Sequence, residues 1–307
     1  MPMKKNEKKP ELTGSIILMI GCIFWGLSGT CGQYLFMYKG ISSGWLVMVR
    51  TLVSGVLLSL VCLIRRDKNY LKLWKSRGDI LRLFLFSFLG LLLSQYSYLT
   101  AIYYTNAGTA TMLQQTSPVL IIIILCIRQK RLPKVRELIC ILLALAGTFL
   151  IATKGDPTSL ALSGWGLFWG LMSAVGIVTY SLTSPKLTVK YGSIPVTAQG
   201  MLIAGIGYTL ISGQFRTKVV IDAQMILPLC GVVVLGTVFA YTMYVFGVKN
   251  CGPFKATIIG TLEPIAAVVF SGLWLKTEIT VFDIIGGILI IGLVIIQGLP
   301  AKAEGRS

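Results

Sequence analysis

The chain has 307 residues, of which 55% are hydrophobic, and it carries 28 Lys and Arg against 11 Asp and Glu for a net charge of +17, with no histidine. A soluble domain of this length has too little interior to hide that much apolar surface, and the lack of histidine excludes a His-ligated metal or a His acid–base group. The basic residues sit in short clusters between apolar runs rather than in a basic domain, which speaks against a nucleic-acid partner.

The basic head, residues 1–12, leads into an apolar run of full membrane length with no clear small-residue cleavage pattern, so that run reads as a first span rather than a leader. Ten runs follow, each long enough to cross a hydrocarbon core of about 30 Å: 13–36, 42–64, 80–100, 104–126, 135–153, 163–185, 193–213, 225–247, 253–275 and 280–298. Alternating the loops gathers 22 basic residues on the side of the two ends and five on the other, with Arg50 inside a span. The positive-inside rule then puts both termini in the cytoplasm of a multi-pass cell-membrane protein. The seven cysteines lie within or at the ends of apolar runs without metal spacing and read as small apolar packers.

In the first span Trp25 and Ser28 are mid-span, where an aromatic suits an interior wall. Trp45, Trp74, Tyr103, Tyr104 and Trp274 lie near span ends and read as interfacial belt. Arg50, near one end of the second span, reads as snorkelling to the surface, with a pairing or gating role as the alternative. The third span carries Gln95 and Tyr98. The fourth carries a stripe of Ala107, Thr111, Gln114 and Pro118, with Gln115 beside it; glutamine both donates and accepts, which suits a zwitterionic or amide-bearing solute. Tyr180 lies in the sixth span, and Thr237, Tyr241 and Tyr244 share a face of the eighth. In the ninth, Ala256, Gly260, Glu263 and Ala267 share a face, and the small residues invite a close neighbour. Glu263 therefore faces protein, as a ligand for a substrate amine, a carrier of a coupling proton or a structural anchor. Spacings such as Gly166-x3-Gly170 and Gly287-x4-Gly292 read as close packing.

Ten spans divide into five and five, and an odd number per half forces opposite insertion of the halves. Shifting the first half by 146 puts Ala110, Thr111 and Pro118 on Ala256, Thr257 and Pro264. The two prolines free the carbonyls of Gln114 and Gly260 and are expected to bend their helices, in equivalent places of an inverted repeat, where transporters bind their solutes. There is no Walker-type phosphate loop, no nucleotide-binding domain and no convergent catalytic set.

The stretch from Gly236 to Glu278 resembles the drug/metabolite transporter superfamily, EamA type. The likeness rests on Gly236-x-x-x-Ala240-Tyr241, the Gly252-Pro253 turn, Leu262-Glu263-Pro264 and Glu278, with Trp25-Gly26 and Arg50 in the first half. It extends over about 14–298. The sequence departs from that pattern at Arg128-Gln129-Lys130-Arg131 and at Val175-Gly176. The resemblance implies a secondary carrier, often an exporter of amino acids or related metabolites, with a central cavity lined by the first, third, fourth, sixth, eighth and ninth spans.

The expectation is thus an all-α polytopic membrane protein of ten transmembrane helices in two inverted-topology five-helix repeats. The tails are 1–12 and 299–307, and the repeats 13–153 and 163–298. The expected function is alternating-access transport of small metabolites, amino acids foremost, with no cofactor and no metal. Trp25, Ser28, Gln95, Tyr98, Gln114, Gln115, Tyr180, Tyr241, Tyr244 and Glu263 line the site, and Pro118 and Pro264 bend the helices. Proton-coupled export of drugs or cations through Glu263 is the alternative, and a membrane-embedded enzyme or sensor a remote one. The partners are a small-molecule substrate and the lipid bilayer, with proton or ion coupling and a homodimer both left open.

Overall fold

The computed structural model describes residues 8–156, 158 and 160–299. Most of the two expected tails lies outside the described residues. Among the described residues, ten helices are long and apolar enough to cross a membrane. They are α1 (Lys8–Lys39), α2 (Ser43–Ile64), α3 (Arg77–Tyr104), α4 (Ala107–Gln129), α5 (Val135–Thr153), α6 (Gly164–Tyr191), α7 (Ser193–Ser212), α8 (Ala223–Cys251), α9 (Pro253–Gly260 and Leu262–Leu275) and α10 (Val281–Gly298). Several outrun their apolar cores because charged last turns continue the helix into the surface layer. Lys186 and Lys190, expected in a loop, sit in the final turns of α6. Ten crossings return the chain to the face it left, called here the terminal face; the opposite one is the far face.

The helix ends follow local chemistry. Ser42, Asn106 and Asp222 cap α2, α4 and α8 by accepting from Trp45 N, Thr109 N and Met225 N. Thr280 and Asp283 form a reciprocal capping box on α10. Lys130 and Lys276, again 146 apart, both stop their helices in the left-handed region, at φ 50° and 54°. A side chain there costs roughly 1–2 kcal/mol, so the two halves share an uncommon device.

The repeats interlock. α1 packs along α8 and α9, and α6 packs along α3 and α4; α2 lies on α7, and α5 on α10. Exchange the halves and this set of pairings maps onto itself. Glycines permit the approach: a Cβ on Gly205 would sit 2.7 Å from Leu52 Cα, and one on Gly55 2.6 Å from Leu202 N. Both obstacles are backbone and cannot swing away. Gly205→Val is therefore expected to destabilise the α2–α7 seam by roughly 1–3 kcal/mol, read as a lower melting temperature in detergent. Gly147 and Gly286 bring α5 and α10 together in the same way. That seam is clamped at both ends: Arg136 donates to the carbonyls of Ile296, Gln297 and Leu299, and Lys154 pairs with Asp283.

Among the further ion pairs that join the repeats, two lie at opposite faces. Lys39 meets Asp222 at 2.6 Å on the far face, and Lys190 meets Asp79 at 2.6 Å on the terminal face, where Tyr191 also donates to Asp79 at 2.8 Å. The Lys39 hydrogen bond holds the Asp222 carboxyl below its ordinary value. Its small contribution is thus present above about pH 4 and fades as pH falls further.

Three expectations need correction. Trp45 is buried beside Ile41, Leu46 and Phe36 rather than in an interfacial belt, because the start of α2 sits under the turn that follows α1. Among the described residues, nothing lies within 4 Å of a Cβ position on Gly260 or Gly292, so no described helix approaches closely there. By contrast Gly166, Gly170 and Gly287 do pack closely, on Thr105, Leu113 and Met112.

Candidate functional site

Both repeats break one helix at mid-membrane. α4 stops at Gln114 and restarts at Ser117; α9 stops at Gly260 and restarts at Leu262. The two stops coincide under the 146-residue shift, and the restarts differ by one residue. Pro118 and Pro264 sit in the first turn of each second half, where a missing N–H is harmless. The interruption itself falls two or three residues earlier, at Gln115–Thr116 and Thr261. Thr116 and Thr261 donate their hydroxyls to Leu113 O and Ile258 O, each at 2.7 Å, carbonyls that also accept the backbone N–H of the same threonine, so each break is tied down twice.

Each repeat also widens one helix into π turns, over Phe86–Leu92 in α3 and Gly231–Phe239 in α8. Such turns recur at functional sites. Gly90 and Gly236 are again 146 apart. A Cβ on Gly90 would lie 3.1 Å from Tyr180 Cα, and one on Gly236 would collide with Ser28.

The wide turn in α8 receives Arg50. Its side chain is 4% exposed and does not snorkel. It donates from Nε to Thr237 Oγ1 at 3.2 Å and reaches the Gly236 carbonyl at 3.5 Å, while the remaining terminal nitrogen has no partner. Both partners are neutral, so the charge is solvated but not compensated.

Glu263 is the other charge at this depth. It makes no hydrogen bond or salt bridge to a described residue, and lies within electrostatic reach of Arg50, Tyr98, Tyr244 and Cys22. Arg50 and Glu263 therefore face a common region without touching. A charge held in the membrane interior costs roughly 2.5–3.5 kcal/mol on insertion scales, and these two do not discharge that cost on each other.

Aromatic and hydroxyl groups wall the region. Trp25 packs on Tyr244 with ring centres 5.0 Å apart. Tyr180 and Tyr241 hydroxyls are 3.3 Å apart, and Thr197 donates to Tyr241 at 2.6 Å. Tyr98, buried, shares a 3.0 Å hydrogen bond with Thr111. Ser28 Oγ and Gln95 Oε1 are buried without a hydrogen-bond partner among the described residues. Gln114 and Gln115 flank the break in α4 and, like Trp25, Tyr180, Tyr241, Tyr244 and Glu263, are only half-buried. Sequence reasoning missed Thr197 and set Arg50 aside; the Gly90/Gly236 coincidence is the signal that could have pointed to the wide turns that Arg50 uses.

The region is shut on one side. Ala107–Leu113, the far-face half of α4, is buried throughout. In the equivalent stretch of α9, Ala256 is buried while Lys255 and Ile258 are exposed and Thr257, Ile259 and Gly260 half-buried. A separate groove of about 700 Å³ lies on α5 among Leu145, Phe149, Leu160 and Leu167, away from these polar groups. Among the described residues no group of three or more His, Cys, Asp or Glu side chains could hold a metal ion.

The pattern of the EamA-like transporter family matches residues 12–153 and 164–297. The uncharacterized inner membrane transporter YicL of Salmonella typhimurium strain LT2 is 33% identical over 294 residues, which cover 96% of this chain and 98% of that one. The uncharacterized transporter YcbK of Bacillus subtilis strain 168 is 23% identical over 298 residues, 92% of each chain. A solved crystal structure of 16% identity superposes with a TM-score of 0.63 over 96% of this chain and 99% of the other, a likeness of fold alone.

Proposed function

This chain belongs to the EamA-like transporter family, and we propose that it carries small zwitterionic metabolites, amino acids or close relatives, by alternating access around the Arg50–Glu263 region. It is a multi-pass membrane transporter, not an enzyme. Arg50 and Glu263 carry the finer reading: two opposite charges facing one region, Arg50 buried and Glu263 half-buried, with no ion pair between them among the described residues. A solute with a carboxylate and an ammonium group can satisfy both at once, and a planar guanidinium suits a carboxylate. Trp25, Tyr98, Tyr180, Tyr241 and Tyr244 would wall the solute, Ser28, Gln95, Gln114 and Gln115 supply neutral hydrogen bonds, and the breaks before Pro118 and Pro264 let the half-helices tilt. The basic clusters support a cytoplasmic terminal face.

A proton-coupled exporter of drugs or cations through Glu263 is the second reading. The nearby Arg50 charge disfavours it, since a cation entering the site meets a buried like charge.

The test is a melting-shift screen with α-amino acids, their decarboxylated amines and their deaminated acids. A ligand that binds folded protein raises its apparent stability. Zwitterions are expected to stabilise, and the one-charge analogues not. Stabilisation by the amines alone would overturn the reading. With the stabilising solute in proteoliposomes, Gln114→Ala and Tyr241→Ala are each expected to cut uptake about tenfold, the loss of roughly one well-placed hydrogen bond, at unchanged expression. Unaltered uptake in both would remove these residues from the site.

A further inference from the structure

The far face is held shut by more than apolar packing. Gln33, near the far end of α1, is 2% exposed. Its Nε2 donates to Thr277 Oγ1 at 2.9 Å and approaches the Met37 sulfur at 3.4 Å. Its Oε1 accepts from the Ala107 backbone N–H at 2.9 Å. One amide thus ties α1 to the segment after α9 and to the first residue of α4.

The bond to Ala107 crosses the line along which the bundle has to part, while the bond to Thr277 anchors the amide within the group of α1. α1, α8 and α9 pack as one group, and α3, α4 and α6 form the group that exchanging the repeats generates from it. Near the far face the two groups meet where Gly108 receives Val268 and Gly32 receives Leu99. Gln33 adds a directional bond over the same seam, and it uses an N–H that every helix start leaves without an intrahelical partner. The inverted counterpart of Ala107 is Pro253, 146 residues on, and a proline has no N–H to give. The same lock cannot form at the terminal face. That asymmetry matches the burial: the far-face half of α4 is enclosed, and the equivalent half of α9 is not.

We propose that Gln33 is the latch of the far-face gate, a positioning residue that biases the carrier toward the state open at its terminal face by bonding Ala107 and Thr277 at once. The inference rests on alternating access but on no particular solute. Losing the latch frees the two helix groups to part at the far face, and a net loss of one to two hydrogen bonds shifts the open-to-closed ratio about fivefold to tenfold.

The test is pulsed electron–electron spin distance measurement on the full chain, in a cysteine-free background. One label pair, at Tyr104 and Leu273, spans the far face; a second, at Lys186 and Lys249, spans the terminal face; all four positions are exposed. Gln33→Leu is expected to raise the long-distance far-face population about fivefold to tenfold and to shorten the terminal-face distance. Thr277→Val removes the bond that holds the Gln33 amide facing Ala107 while leaving Gln33 in place, and is expected to move the same populations less; it carries the test if Gln33→Leu does not fold. A structural role would lower the melting temperature and leave both distance distributions unchanged, and that result in both variants overturns the latch. Far-face opening without terminal-face closing keeps the latch and removes alternating access instead.

Discussion

Arg50→Met is expected to reduce uptake of the zwitterionic solute by about thirtyfold or more. Removing one member of a buried, hydrogen-bonded charge pair costs roughly 2–5 kcal/mol, and 2 kcal/mol is already about thirtyfold. The thioether fills part of the volume of the side chain, so the fold should hold, and equal melting temperatures would show it. The loss has a signature that a packing defect lacks. Wild type is expected to separate an α-amino acid from its decarboxylated amine, because the amine leaves Arg50 facing a like charge with no carboxylate. In the variant that discrimination should collapse, since nothing remains for a carboxylate to find. Arg50→Lys keeps the charge but not the fork that grips two oxygens, and should fall between the two. Undiminished uptake with intact discrimination in Arg50→Met would detach Arg50 from the solute.

The same residue marks the limit of what the sequence discloses. Ten spans are legible because apolar runs of membrane length cannot be hidden, and the 146-residue correspondence of Pro118 and Pro264 announces the broken helices. The rotation of α2 about its axis is not announced. Its apolar residues run almost all the way round, so nothing local says whether Arg50 points to the surface or to the Gly236 carbonyl. Position near a span end misleads for Arg50 and for Trp45 alike, since both answers depend on what the second repeat places over α2. The π turns leave no residue signature beyond Gly90 and Gly236, which act through the partner helices they admit. Gln33 escapes for a related reason: a lone polar residue near a helix end looks like surface until Ala107 and Thr277 arrive from elsewhere in the chain. Local chemistry is readable; contacts made between repeats are not.

Glu263→Gln separates the two readings of the remaining charge. If Glu263 holds the ammonium group of the solute, the amide forfeits the ion pair and leaves that ammonium group without a counter-charge, a loss on the order of 3 kcal/mol or about a hundredfold. Net uptake, solute exchange across the membrane and the ligand-induced melting shift should then all fall together. If Glu263 carries only a coupling proton, the amide mimics the protonated acid. Accumulation driven by a pH gradient would stop, while exchange of solute for solute, which moves no net proton, would continue at nearly the wild-type rate with binding preserved. Arg50 decides which outcome to expect. A zwitterion brings its own carboxylate to Arg50 and leaves its ammonium group for Glu263, a pairing that a site serving only to carry a proton does not require. Exchange lost with binding lost is the expected pattern, and full pH-gradient-driven transport in Glu263→Gln would remove Glu263 from both roles.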